Sequence, residues 1–473
     1  MMKKWAVTRA SCWLCVIVCL ALALSGCDST AEGNAGLIVY RVLDSSSKAP
    51  GPDLVVTDTS GKELHRVSLP EAPRQLVATN LSNQALASTS DGKLYLVDAR
   101  EGKVRELEIP DQASGEVSYR PPQFAYSSGK TWTLLGDVRQ ERAYLANLST
   151  GQLTNLAPLL GDPSIMASGL FSPGETHVVL LADTALWLVP TGEPTKARKL
   201  ADRSYAPNFS SDGKQVVYST DSQDGSEVVL EQVDGTSSRV IANGERGLSA
   251  TFVPGQSQLV LVQPGKVTLH SLEDSKEQVL LTYEGNPGAR WLSPNGQKLL
   301  FDSDAGGEHT WHLLDLKGGA ARQLDSLKGY QPYLGGEVAR WLVFAESFAP
   351  GSGARFMSLD LESGDTREVL ALDENQQYLG QLVTSLDGAY TLITSQAGDK
   401  QQLWLLRNKG GEPRMLAESS AVSGAISPDG RSVAVSSLED KDGTYTASQS
   451  IVETEGNSTR PLASGYGPVW LRP

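Results

Sequence analysis

The residue types that most often carry chemistry are sparse in this 473-residue chain. Five histidines occur, His65, His177, His270, His309 and His312. Only His309 and His312 are close neighbours. Three residues apart on a strand, their side chains leave opposite faces, so a shared metal ion is not expected of them. Acidic clusters at 221–227, 302–308 and 439–442 offer the hard oxygen ligands that calcium prefers. None has the spacing of a helix–loop–helix calcium site, and Asp and Gly are also the usual residues of tight turns, which is the role expected of them. Gly351-Ser352-Gly353 stands in a polar stretch with no phosphate-binding helix behind it. No Gly-x-Ser-x-Gly elbow falls between a strand and a helix. No catalytic residue, metal ligand or cofactor site is assigned, and the residues favour a non-catalytic role over a catalytic one. The four cysteines, Cys12, Cys15, Cys19 and Cys27, all lie in the first 27 residues, so nothing downstream can form a disulfide or a thiolate metal site.

Cys27 is the residue with the clearest chemical prospect. Residues 1–9 are basic, and residues 12–24 are apolar but short for a membrane span. The run ends in Leu24-Ser25-Gly26-Cys27, which resembles the bacterial lipobox. That resemblance implies a signal peptide over 1–26, diacylglycerol on the Cys27 thiol, cleavage before it and acylation of the new amine. Each buried CH₂ contributes about 0.8 kcal/mol, so several acyl chains anchor firmly. Asp28 resembles the retention signal of enteric lipoproteins. The implied address is the outer face of the cytoplasmic membrane, the periplasmic side of the inner membrane where an outer one exists. Residues 27–35 then read as a lipidated cysteine and tether, whose small polar part reaches at most roughly 30 Å.

The remaining chain, 36–473, is a repeat. Between Gly288 and Arg322 short apolar runs are separated by turns, of which Pro294-Asn295-Gly296 is the clearest, because Pro fixes φ and Gly accepts a positive one. Phe209-Ser210-Ser211-Asp212-Gly213 followed by Val216-Val217-Tyr218 repeats the pattern, and so does Ser427-Pro428-Asp429-Gly430 followed by Val433-Ala434-Val435. Weaker copies are centred on Gly174 and Gly388, and degenerate ones on Gly255 and Gly336. The turns recur every 40 to 45 residues or so, with about four short strands each, the period of propeller blades. These motifs resemble the TolB-type β-propeller repeat, also found in propellers of the prolyl oligopeptidase and dipeptidyl peptidase families. The implied fold is all-β, with about ten four-stranded units, in a range of seven to ten. The ends are complementary: residues 37–69 supply three strands with no turn-marked strand before them, and 466–471 supply a first strand with none after it. The C-terminal strand is expected to complete the N-terminal blade, leaving one ring or two fused ones. Trp132, Trp187, Trp291, Trp311, Trp341, Trp404 and Trp470 recur at blade positions and are expected in the core.

The formal charge of -14 argues against nucleic acid as a partner. In a meander the first and third connections share one face, and the second and inter-blade connections share the other. The long connections at 44–52, 111–119, 346–354, 373–377 and 438–444 all fall on the second face, where long loops on a rigid scaffold tend to bind. The expectation is a membrane-anchored binding or scaffolding module with an envelope protein as partner. The alternatives are capture of a glycan or peptide, or hydrolase or lyase chemistry, in the central channel.

Overall fold

A computed structural model describes residues 36–43 and 51–473, apart from 80, 90, 92, 110–118, 121–130, 138–141, 162–167, 183–184, 224, 294, 307, 329, 334–339, 347–353 and 442–443. Its forty strands form ten four-stranded antiparallel sheets. One sheet shows how each is built. Its strands Ser204–Phe209, Gln215–Asp221, Ser226–Gln232 and Ser238–Gly244 pair in chain order. The apolar run Val216-Val217-Tyr218 is buried on both sides, as expected of a strand sandwiched between neighbouring sheets.

The turns that defined the repeat have a common chemistry. Ser427 Oγ donates to Asp429 Oδ1 at 2.6 Å and accepts from the N–H of Ser432 at 2.9 Å. Ser210, Ser293 and Ser385 do the same with Asp212, Asn295 and Asp387 and with the amides of Gln215, Lys298 and Tyr390. Gly213, Gly296, Gly388 and Gly430 follow with φ between 64° and 71°, where a Cβ would be strained. The turn between third and fourth strands uses an Asx geometry. Asp98, Asn147 and Asp315 each accept from two amides two and three residues on.

Outer and inner edges follow from burial and contact. Fourth strands such as Glu63–Ser68, Lys103–Leu107 and Glu277–Thr282 are largely exposed. First strands of successive sheets lie against one another, as Ser204–Phe209 does against Ser249–Phe252. The first strands therefore surround a common axis.

Ring number is decided by the cores. Each of ten apolar clusters is shared by two consecutive sheets. Val217, Val228 and Leu230 of one sheet meet Ala250, Phe252, Leu259 and Leu261 of the next. The last cluster joins Ala434 and Ile451 to Ile38, Tyr40, Val55 and Trp470 and so completes the cycle. The chain is one ring of ten blades, the upper end of the expected range. Closure is as the ends implied: strand Gly465–Trp470 pairs with Ile38–Val42, with Ile38 opposite Trp470 and Val39 opposite Val469. Packed sheets sit about 10 Å apart and strands about 4.8 Å apart, so ten blades put the inner strands roughly 9 Å from the axis, a bore of ~18 Å between backbones.

A second device ties the blades at their outer strands. Arg105, Arg322, Arg367 and Arg414 reach from a fourth strand to backbone carbonyls in the third turn of the next blade, at Leu148 and Ser149, Ser363, Lys409, and Glu453 and Gly456. Arg198 does so at Gln232 and Val233 and also pairs with Glu231. His65 fills the place in the first blade, its Nε2 3.1 Å from the Arg100 carbonyl.

Two outcomes test this account. Trp470→Ala removes the largest side chain at the closing seam and lowers stability by about 3–5 kcal/mol, read as a reduced urea midpoint. Asp315 is held down to about 2 by the Gly318 amide, Lys298 and the Lys317 amide. A depressed folded-state pKa stabilises above the ordinary carboxylate value and loses that contribution as pH falls toward 2. Asp315→Asn therefore lowers the Tm at pH 7, and the gap from wild type closes by pH 2.

Candidate functional site

The two faces of the ring differ. On the first face lie the Ser–Asp–Gly turns and the Asx turns. On the second lie the inter-blade links and the hairpin tips, and these are uneven. Hairpin 432–441/444–453 has ten-residue strands, against seven in 215–221/226–232. Three extra residues carry its tip about 10 Å further at ~3.3 Å per residue. Hairpins 298–305/308–315 and 390–397/400–407 are intermediate, with eight. Of the five long connections, 44–50, 111–118 and 347–353 lie outside the described residues. Residues 373–376 form a turn in which the Asn375 amide donates to Asp373 Oδ1 at 2.9 Å, and 438–441 belong to the longest hairpin.

The strands nearest the axis have their own composition. The ten inner strands contain no Asp or Glu, although the chain holds 55 acids against 41 bases. Their charged residues are Arg74, Arg120 and Arg290, and their large polar aromatics are Tyr119, Tyr205, Trp291, Tyr330, Tyr333, Tyr378, Tyr466 and Trp470.

At the second-face mouth, the closing blade and the next one meet around Arg41. Its guanidinium lies 4.2 Å above the Tyr466 ring. Its Nη1 donates to the carbonyls of Arg74 at 3.0 Å and Pro73 at 3.4 Å. Gly467, at φ 61°, leaves the room: a Cβ there would stand 2.4 Å from Nη2. Among the described residues no carboxylate comes within ion-pair distance of Arg41, its Nε has no hydrogen-bond partner, and burial pushes its pKa below the usual value. Both neighbouring ladders are irregular here, between Val39 and Arg41 and between Pro73 and Gln75, so Arg74 is the extra residue of a bulge.

The residues singled out from sequence are dispersed. Cys27, Gly129, Gly336 and the Gly351-Ser352-Gly353 run lie outside the described residues. His309 Nδ1 meets the buried carboxylate of Asp302 at 2.7 Å, while His312, on the opposite face of the same strand, is buried and its pKa lowered by desolvation. His270 is buried with Glu277 3.5 Å away. His177 bonds its neighbour Thr176. Asp221 takes Ser226 Oγ at 2.9 Å, a turn contact. Among the described residues no three His, Cys, Asp or Glu side chains gather as a metal site. Trp311 and Trp470 are core residues, and Trp132, Trp187, Trp291 and Trp404 pack partly buried against core clusters. Trp341 departs from the core expectation: it lies partly exposed between Arg340 and Arg367, 5.4 and 5.3 Å from its ring.

One turn marker also shifts. In the fourth blade the left-handed residue is Glu175, at φ 53°, not Gly174. The cost is about 1–2 kcal/mol for a residue with a Cβ. Glu175 Oε2 accepts from the Thr131 amide of the preceding blade at 2.9 Å, and its carbonyl accepts from Thr191 Oγ1 at 2.6 Å. A cleft of about 480 Å³ opens beside it, with Trp132 and Glu193 among its walls.

With its meander blades, recurrent turns and closed ring, the molecule is a ten-bladed β-propeller in architecture. No protein-family model matches the chain, and no curated protein matches it. Similar solved structures include an oligogalacturonate lyase in complex with manganese, at 15% identity over 70% of this chain and 98% of that one, with a TM-score of 0.41. Dipeptidyl peptidase 4 of Porphyromonas gingivalis is similar at 11% identity over 83% of this chain, with a TM-score of 0.46. This chain spans 59% of that peptidase. TolB from Acinetobacter baumannii is similar at 14% identity over 73% and 81% of the two chains, with a TM-score of 0.26. At these identities the likeness concerns the fold alone.

Arg41 was not marked by any local motif, and its role at the seam is testable. Arg41→Ala removes the ring contact and two carbonyl bonds and lowers stability by about 1–3 kcal/mol. Arg41→Lys recovers only part of this, because an ammonium cannot stack flat on Tyr466. Thermal unfolding of the two variants measures the difference.

Proposed function

We propose that this chain is an exported lipoprotein, held through lipid on Cys27 at the outer face of the cytoplasmic membrane, whose propeller binds a protein partner at the cell envelope. The lipobox resemblance of Leu24-Ser25-Gly26-Cys27 supports the anchor. The observation that carries the binding role is the one-sidedness of the ring. A closed scaffold of ten blades carries its extended hairpins, 432–453, 298–315 and 390–407, on the second face, where the sequence also expects the long connections. Rigid elements presenting variable loops favour recognition, because the backbone is ordered before the partner arrives. A glycan or peptide held in the channel is the second reading, drawn from the bore of roughly 18 Å that ten blades leave.

The test has two arms. Cys27→Ser abolishes metabolic labelling with palmitate and moves the protein from the membrane to the soluble fraction. A photo-crosslinking residue at Thr446 or Asn375, on the second face, gives one discrete protein adduct in intact cells. The same residue at Asp212, on the first face, gives none. Equal labelling from both faces, or none from either, overturns the partner reading. Unchanged membrane retention of Cys27→Ser overturns the anchor.

A further inference from the structure

Where a tether leaves a ring decides which way the ring can face. Gly36 lies two residues before the strand Ile38–Val42. Its contacts place it on the first face. Its φ is 75°, and the Leu471 carbonyl and the Trp470 ring stand where a Cβ would be. The Leu471 amide donates to the Leu37 carbonyl at 2.8 Å. The Arg472 carbonyl accepts at 2.7 Å from the amide of Asn83, which is in the first-face turn of the next blade. The exit is thus pinned beside the innermost strand of the closing blade, about 14 Å from the axis at a strand spacing of ~4.8 Å.

Cys27 stands nine residues before Gly36, and such a length spans roughly 30 Å at most. The second face lies beyond that reach. Round the rim the path is roughly 10 Å across two further strands and 20 Å along a six-residue strand, and rim side chains and turns add to it. Through the bore it is roughly 5 Å inward and 20 Å along the strands, and hairpin 432–453 keeps a flat surface about 10 Å further off. Neither path leaves a residue over to meet a bilayer. The first face is within reach, and its charge near the exit is balanced. Lys62, Arg100, Arg431 and Arg472 are exposed there. The Asp58 carboxylate accepts from the Ser60 and Lys62 amides, Asp429 from Ser427 and the Arg431 amide, and Glu101 pairs with Lys103. The acid excess of the whole chain therefore does not push this sector away from an anionic surface.

We infer that the ring stands with its first face, on the side of the closing blade, toward the bilayer, and that its second face meets a partner from the aqueous side. The inference rests on the anchored, protein-binding reading above. It narrows the kind of partner. The second face stands at least roughly 20 Å from the membrane surface, the depth of one strand, so the partner is a protein whose contacting domain lies in the aqueous phase.

Lipidated full-length protein is reconstituted into vesicles of phosphatidylethanolamine and phosphatidylglycerol whose headgroups carry a short-range quencher. Lipid occupies the Cys27 thiol, so Lys62→Cys on the first face and Thr446→Cys on hairpin 432–453 each give one labelled position, both exposed. Both variants float with the vesicles. The label at Lys62 loses most of its emission, and the label at Thr446 keeps it. Inserting about thirty Gly and Ser residues after Ser29 lets the ring turn over, and the two labels converge. Equal quenching with the native tether, or stronger quenching at Thr446, overturns the orientation while the anchor stands. A difference that survives the insert overturns the tether as its cause. Protein that does not float removes the anchor and this inference with it. In cells, a photo-adduct from Thr446 to an aqueous domain supports the partner assignment, and an adduct to a protein confined to the bilayer overturns it. Unequal quenching with no adduct leaves the orientation and removes the partner.

Discussion

Each blade of this molecule is buried only because both of its neighbours are present. A four-stranded sheet with two apolar faces cannot stand alone in water, and every apolar cluster here is contributed half by one blade and half by the next. A linear stack would leave two uncovered faces at its ends. The circle leaves none, provided that the last blade meets the first. The contact of Ile38, Tyr40 and Trp470 with Ala434 and Ile451 supplies that condition. Because the closing sheet takes its inner strand from the C terminus and its other three from the N terminus, separating the ends breaks a sheet as well as an interface.

Ten blades have a consequence for function. Adding blades at constant spacing widens the circle while the depth of each blade stays fixed, so the inner edges draw apart. A channel wall appears where a smaller ring would have packed its inner strands together. Here the ten strands nearest the axis contain no acid, within an acidic chain. The side-chain ties at the rim, Arg105, Arg322, Arg367 and their equivalents, fix neighbouring blades at the opposite edge. Rim ties near the first face and the seam together make the ring a rigid frame, from whose second face hairpins of unequal length project.

The repeat units do not carry this work equally. The turn is intact in four blades, three with Asp and one with Asn295, and altered in the fourth blade of the ring, where Glu175 accepts a strained backbone and bonds across to Thr131. Departures from the repeat are where the ring differs from ten identical wedges. The bulge at Arg74, the bulge in strand 465–470 opposite Arg41, the long hairpin at 432–453 and the Glu175 notch are of this kind.

The architecture was largely legible in the residues. Alternation of apolar runs with Ser-Pro-Asp-Gly turns acts over a dozen residues, through hydrogen bonds that Ser427 and Asp429 make locally, so it can be read without knowing where the chain goes. The partnership of Val39 with Val469 was legible too, because an incomplete set of strands at each end has one economical solution. The turn around Gly174 formed where the repeat places it, but its left-handed residue is Glu175, which Thr131 of the preceding blade holds, whereas Trp341 missed the core because Arg340 and Arg367 of its own blade flank its ring. Ring number, bore and mouth were beyond sequence reading. They depend on which blade covers which and on contacts such as that of Arg41 with the Pro73 and Arg74 carbonyls, which join residues of separate repeats. Local sequence determines each sheet and its turns; only the closed circle decides what those sheets surround, because burial and charge at the axis are summed over residues hundreds of positions apart.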